Sequence, residues 1–320
     1  MAMAVDGRER ARIWSAEALE SRIVRYRDLV PCTNAFIDAR TPGSDAKENF
    51  TIIGPGVAEN PDQHVHISEA HGFNIGGARQ PPACINSQHS HDTAEVFVVH
   101  SGHWRFTFGE HGEDAQIDAE PGDIVSFPIH AFRGFGNIGK DPGFLWSVLG
   151  GDDPGRVLWA PAVFEMAADY GLILLENGAL VDTTLGQTVP PGVAPMPVTS
   201  AETIAGLRKI RPEDADEVIA RAPRSDAPGE TLVIGEGGQL PGTKGFTVSR
   251  LVLAAGASSA VTSSQRPEVV FVMRGAVEIA MPEAAVTLAK ADTFTVPTNL
   301  DRSYRALDEG CELVVVRGTA

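Results

Sequence analysis

The chain has 320 residues, 43% of them hydrophobic and 21% charged, with 33 glycines and 22 prolines. This is ordinary globular material, turn-rich, and long enough for two domains of about 100 to 150 residues each. A formal charge of −16 argues against a nucleic-acid partner, because phosphates require a basic face.

Cys32, Cys84 and Cys311 show neither metal nor redox spacing and are too few for a disulfide scaffold. No apolar run reaches the length of a membrane span, and Met1 to Arg8 carries no secretory core, so a soluble cytoplasmic protein without a membrane partner is the expectation.

In chain order, Ser15 is a plausible cap for a helix running to about Arg27, with Leu19, Ile23 and Tyr26 on one face. Residues 31–63 are rich in turn formers around a short predicted strand at 49–53. Such a segment can wrap a β domain or exchange with a partner subunit in a homodimer. From His64 the pattern changes to short strands at 64–68, 72–79, 95–100, 103–108, 115–118, 123–128 and 143–149, which reads as a sandwich or barrel. Pro161 opens a second predicted helix that stops at Gly171. A Pro-rich stretch from Val189 to Pro197 follows, and a third helix is expected over Arg211–Arg221.

The chemistry concentrates in His89-Ser-His-Asp-Thr-Ala-Glu-Val-Phe-Val-Val-His-Ser-Gly102. Residues i and i+2 of a strand share a face, so His89 and His91 point the same way. Asp92, Thr93 and Ala94 suffice to turn a corner, and Glu95 then opens a second strand that can close on the same point. Two imidazoles and a carboxylate with open positions suit non-haem Fe(II), and also Mn, Ni, Cu or Zn. The alternative is two exposed loop histidines beside an exposed glutamate.

This stretch resembles the first signature of the cupin superfamily, Gly-x5-His-x-His-x3,4-Glu-x6-Gly. The second signature, Gly-x5-Pro-x-Gly-x2-His-x3-Asn, is matched by Gly122, Pro128 and Asn137. His130 stands where the family has glycine, and Arg133 where it has its last metal-binding histidine.

The second half repeats the first. Glu268 to Gly275 matches Glu95 to Gly102, Ala291 to Pro297 matches Gly122 to Pro128, and Arg302 falls five residues past Pro297 as Arg133 does past Pro128. Thr262 and Ser264 replace His89 and His91, and Asn299 replaces His130. An internal repeat on this scale means two copies of one domain. The resemblance therefore implies an all-β fold with a few helices: two cupin-type double-stranded β-helix (jelly-roll) barrels in tandem. The expected division is a helix and wrapping segment at 1–63, a metal-binding barrel at 64–160, a helical and Pro-rich linker at 161–228, and a metal-free barrel at 229–320. All nine histidines lie between 64 and 130, so one site is expected, not two.

Other positions carry two readings each. His130 either supplies a fourth ligand from a shifted position or sits exposed on the rim. Arg133 cannot bind a metal, because guanidinium stays protonated; it either clamps a substrate carboxylate or forms a structural salt bridge. One of His64, His66 and His71 is expected to line the cavity or to back a ligand. His100 and His103 flank the turn at Gly102 and are expected to be exposed. Trp104, Phe106, Phe132 and Phe135 hint at an apolar pocket.

Relatives implied by the resemblance include ring-cleaving dioxygenases and oxalate decarboxylases. The leading expectation is an oxidoreductase: a dioxygenase using one divalent metal, Fe(II) first, at His89, His91, Glu95 and His130. Arg133 would orient a small anionic or aromatic substrate beside O2. A metal-containing small-molecule binding or sensor protein, or an isomerase, would carry the same motif.

Overall fold

A computed structural model describes residues 14–224, 227–242 and 245–319; the segment Met1 to Arg8 lies outside them. The chain forms two β barrels with few helices. In the first barrel, a five-stranded sheet runs in the order Val157–Trp159, Ile85–His91, Arg133–Asn137, Trp104–Phe108, Ala115–Ala119. A seven-stranded sheet faces it: Ile219–Ala220, Ile124–Phe127, Glu95–Ser101, Gly143–Gly150, Phe73–Gln80, Glu48–Ile53, Val65–Ile67. In the second barrel the strands run Ile23–Val24, Thr293–Val296, Glu268–Ala280, Ser303–Gly318, Phe246–Leu253, Gly229–Ile234, with Ala285–Leu288 beside Glu268–Ala280.

Period-two alternation sorts the side chains. Trp104, Phe106 and Phe108 are fully buried inside the first barrel, whereas Arg105 and Thr107 look outward. The Glu95–Ser101 strand is buried on both faces, so it reads as a continuous apolar run. Phe97 and Val99 fill the barrel, and Val96 and Val98 join the seam between the barrels. Trp146 stacks on Phe271 across that seam at 4.8 Å and donates its indole N–H to Thr293 Oγ1 at 3.0 Å. The glycines that close the two repeats, Gly102 and Gly275, have φ of +88° and +75°. A Cβ there would lie 2.6 Å from Gly143 Cα and 2.0 Å from the Gly310 carbonyl oxygen, so only glycine fits.

Two segments cross between the barrels. Ile23–Val24, ahead of barrel one, pairs with Thr293–Val296 of barrel two, and Ile219–Ala220, ahead of barrel two, pairs with Ile124–Phe127 of barrel one. The two recipient strands are equivalent in the repeat, so each barrel caps the same edge with a strand from the other's approach.

Three expectations are corrected. The first helix is short, Ala16–Glu20 capped by Ser15, because Ile23 and Val24 are drawn into barrel two. Arg211–Arg221 is a 3-10 turn, Pro212–Glu217, followed by the exchanged strand. His100 is buried in the seam against Tyr26, Phe144 and Phe271, while His103 is only part-buried. Among the described residues no helix is long and apolar enough to cross a membrane.

Candidate metal centre

His89 and His91 lie on the five-stranded sheet, and Glu95 opens a strand of the facing seven-stranded sheet. The corner at Asp92, Thr93 and Ala94 thus carries the chain from one wall of the barrel to the other, and the three groups meet across its interior. All three are buried, and one ligand atom of each lies within 4.8 Å of the others. His91 Nε2 is 3.7 Å from Glu95 Oε1.

The rings are set up as ligands. His89 Nδ1–H donates to the Ser87 carbonyl at 2.7 Å, which fixes its tautomer and leaves Nε2 free. His91 Nδ1 is buried with no protein partner. Burial, and then the Arg133 charge, push His89 down to about 3 and hold His91 well below the usual histidine range. Both rings are therefore neutral at physiological pH, the form that binds a metal. Donors at about 2.1 Å from one ion stand roughly 3 Å apart, so small side-chain rotations close the observed spread. The residues fit a divalent ion with positions to spare.

Arg133 is 1% exposed and pairs in register with His89 on the neighbouring strand. Its Nε and Nη2 both donate to Glu95 Oε2, at 3.1 and 2.6 Å. The expected clamp on a substrate is not what this geometry provides, because the guanidinium fork is spent on Glu95.

His130 also departs from expectation. Its backbone holds the left-handed conformation (φ +56°) that the family motif assigns to glycine, which turns the side chain outward. The ring is exposed, 3.6 Å from Asp92 on the rim, and does not join the three ligands. His64 and His66 pack on each other away from the site, and His71 is buried between the Glu69 carbonyl and Thr295 of barrel two. None of the three lines the cavity.

The cavity beside the ligands is mostly apolar: Phe97, Phe135, Leu149, Val157 and Trp159 from the barrel, with Phe36 and Val57 from the wrapping segment. Asn49, Thr51, Asn86 and Ser147 supply its polar lining. Trp104 and Phe106 pack beneath, and Phe132 faces outward into the cluster around the Pro161–Asp169 helix.

The sequence reading missed the supports behind His89. The fully buried Asp38 and Lys47 form an ion pair. Asp38 accepts the Ser87 N–H at 3.0 Å, and Lys47 donates to Asn86 Oδ1 at 3.0 Å. Trp159, 5.3 Å from the His89 ring, donates its indole N–H to Glu59 at 2.6 Å. Burial pushes the Glu59 carboxyl up to about 8, so it is largely protonated at neutral pH. Lone charged residues in a turn-rich segment carry no sequence signal of such burial.

Residues 78–149 match the family model described as Cupin domain. Oxalate decarboxylase from Lactobacillus farciminis, in a formate complex, is similar in structure with a TM-score of 0.58 and 10% identity over 92% of this chain and 85% of that one. Oxalate decarboxylase from Bacillus subtilis gives 0.57 and 12% over 92% and 76%. Procruciferin, an 11S globulin from Brassica napus, gives 0.56 and 11% over 86% and 81%. At these identities the likeness is one of fold. No curated protein matches the chain by sequence.

Proposed function

From the Cupin domain match over residues 78–149 and the two-barrel fold, we propose that the first barrel is a mononuclear metal enzyme of the non-haem Fe(II) dioxygenase type, acting on a small aromatic substrate. One observation carries this reading: two neutral imidazoles and one carboxylate converge on an apolar cavity and leave coordination positions open. An iron ion held there supplies a place for substrate and O2 side by side and a path for electrons between them.

The chain's own residues do the rest. Ser87 holds the His89 ring with Nε2 inward, and Glu95 turns Oε1 towards His91. Phe97, Phe135 and Leu149 keep water from the reacting groups, while Asn86 and Ser147 offer hydrogen bonds to polar substituents of a bound molecule. The cavity lining includes neither Lys nor Arg among the described residues. That favours the aromatic over the anionic half of the expected substrate class.

The test is Fe(II) reconstitution of metal-free protein, followed by an oxygen-electrode screen of hydroxylated aromatic compounds. Oxygen uptake that needs iron and disappears in His91→Ala is the expected result. Iron-loaded protein that consumes no oxygen across the screen, or protein that retains zinc or nickel in preference to iron, would replace this reading with a binding or isomerase role.

A further inference from the structure

We infer that Arg133 is a positioning residue: it stands at a ligand position of the barrel and acts through Glu95, fixing that carboxylate as a one-oxygen ligand with Oε1 turned to the histidines. The inference rests on the metal-site reading and says how that site is built without a fourth protein ligand.

The geometry is specific. A guanidinium fork meeting a carboxylate ordinarily engages both oxygens with two parallel bonds. Arg133 instead places Nε and Nη2 on Oε2 alone, at 3.1 and 2.6 Å, and Oε1 is left facing His91 Nε2. The guanidinium is itself held, by the Ala131 carbonyl at 3.4 Å and by the Phe127 ring beneath it at 5.5 Å.

The second barrel shows the arrangement of a purely structural pair on the same scaffold. Arg302 forms an isolated antiparallel bridge with Thr262, the counterpart of the Arg133–His89 pairing. Arg302 Nη2 spans both oxygens of Glu268 at 2.5 Å each, and Nε adds a bond to Oε1 at 3.0 Å. No oxygen remains for a metal. The difference is therefore not the presence of an arginine but which oxygens it takes. A buried ion pair is in itself weak support for stability, so the one-sided bonding needs another explanation. Presenting the other oxygen is that explanation.

The test is a Co(II) titration of metal-free wild type, Arg133→Met and Arg133→Lys, followed by visible ligand-field absorption. Arg133→Met should bind Co(II) about 10- to 100-fold more weakly, as loss of a group holding a ligand does, with a shifted band pattern. Arg133→Lys, whose ammonium can still hold Oε2, should recover most of the affinity and the wild-type bands. Arg133→Met that binds as tightly as wild type, or more tightly, with unchanged bands would overturn the inference while leaving the metal site standing. If Arg133→Met does not fold, infrared difference spectra of wild type with and without Co(II) decide. The wide carboxylate splitting of a one-oxygen ligand is expected, and the narrow splitting of a two-oxygen ligand overturns the inference. Wild type that binds no Co(II) would overturn the site and the inference together.

Discussion

Glu95 and Glu268 open the same strand of two copies of one barrel, and each sits beside an arginine at the same register. What reaches them differs. Glu268 accepts from Arg302, from the Tyr304 hydroxyl at 2.5 Å and from Arg317 Nε at 2.6 Å. In the first barrel the place of Tyr304, two residues past the arginine, is taken by Phe135. The place of Arg317, directly across from the glutamate, is taken by Leu149. Both replacements are apolar and both line the cavity. Barrel two fills its centre with a polar network in which both Glu268 oxygens accept from side chains; in barrel one Arg133 takes only Oε2 of Glu95, and a cavity lies beside it. The candidate centre of barrel one is the same network left incomplete, by two side chains that offer no donor.

The sharpest break is removal of a ligand. His91→Ala should lower metal affinity by more than about 100-fold, read by metal content after dialysis, and should leave barrel two unaffected. Next in size is conversion of one barrel into the other. Phe135→Tyr with Leu149→Arg brings a hydroxyl and a second guanidinium to Glu95. The double variant should fold and bind no metal, whereas retained binding would show that the donors on Glu95 do not decide the matter.

The converse attacks barrel two. Glu268→Ala leaves Arg302 buried without a countercharge and should cost about 3 to 5 kcal/mol in denaturant unfolding, with metal binding in barrel one unchanged.

A smaller effect separates the seam from both centres. His100 is buried with neither ring nitrogen bonded, and burial, with Lys290 nearby, pushes it down to about 4. Its folded-state value lies below the unfolded one. The stability it permits is therefore complete above about pH 6.5 and is lost as pH falls towards 4, to a total of roughly 3 kcal/mol. His100→Leu should flatten that part of the stability–pH curve, and an unchanged slope would assign acid sensitivity to other groups.

Much of this was legible in the sequence, because it follows from spacing. The convergence of His89, His91 and Glu95, the repeat, and the replacement of both histidines in the second copy come from fixed intervals that a barrel's alternation turns directly into shared faces. His130 carried two readings in the sequence, a fourth ligand or an exposed rim residue, and the backbone decides for the rim. Asn299, its counterpart, has φ +58°, so both barrels hold a left-handed backbone at the family's glycine position, and the side chain there faces out whatever its chemistry. Arg133 could not be assigned, because which oxygen a guanidinium takes depends on its surroundings, here the Ala131 carbonyl and the Phe127 ring, which spacing does not reveal. The Asp38–Lys47 pair and His100 were hidden because long-range packing buries them: the pair against Asn86 and Ser87 of the first barrel, and His100 in the seam against Tyr26, Phe144 and Phe271.

The expectation that organises the rest is one metal ion per chain, held by His89, His91 and Glu95 of the first barrel, with none in the second, where Thr262 and Ser264 replace the histidines. Metal content of protein purified without chelators, determined for wild type, His91→Ala and Glu268→Gln, tests it most directly. One equivalent in wild type, none in His91→Ala and one in Glu268→Gln is the predicted result. No metal in wild type even after reconstitution, or two equivalents with one lost in Glu268→Gln, would contradict it.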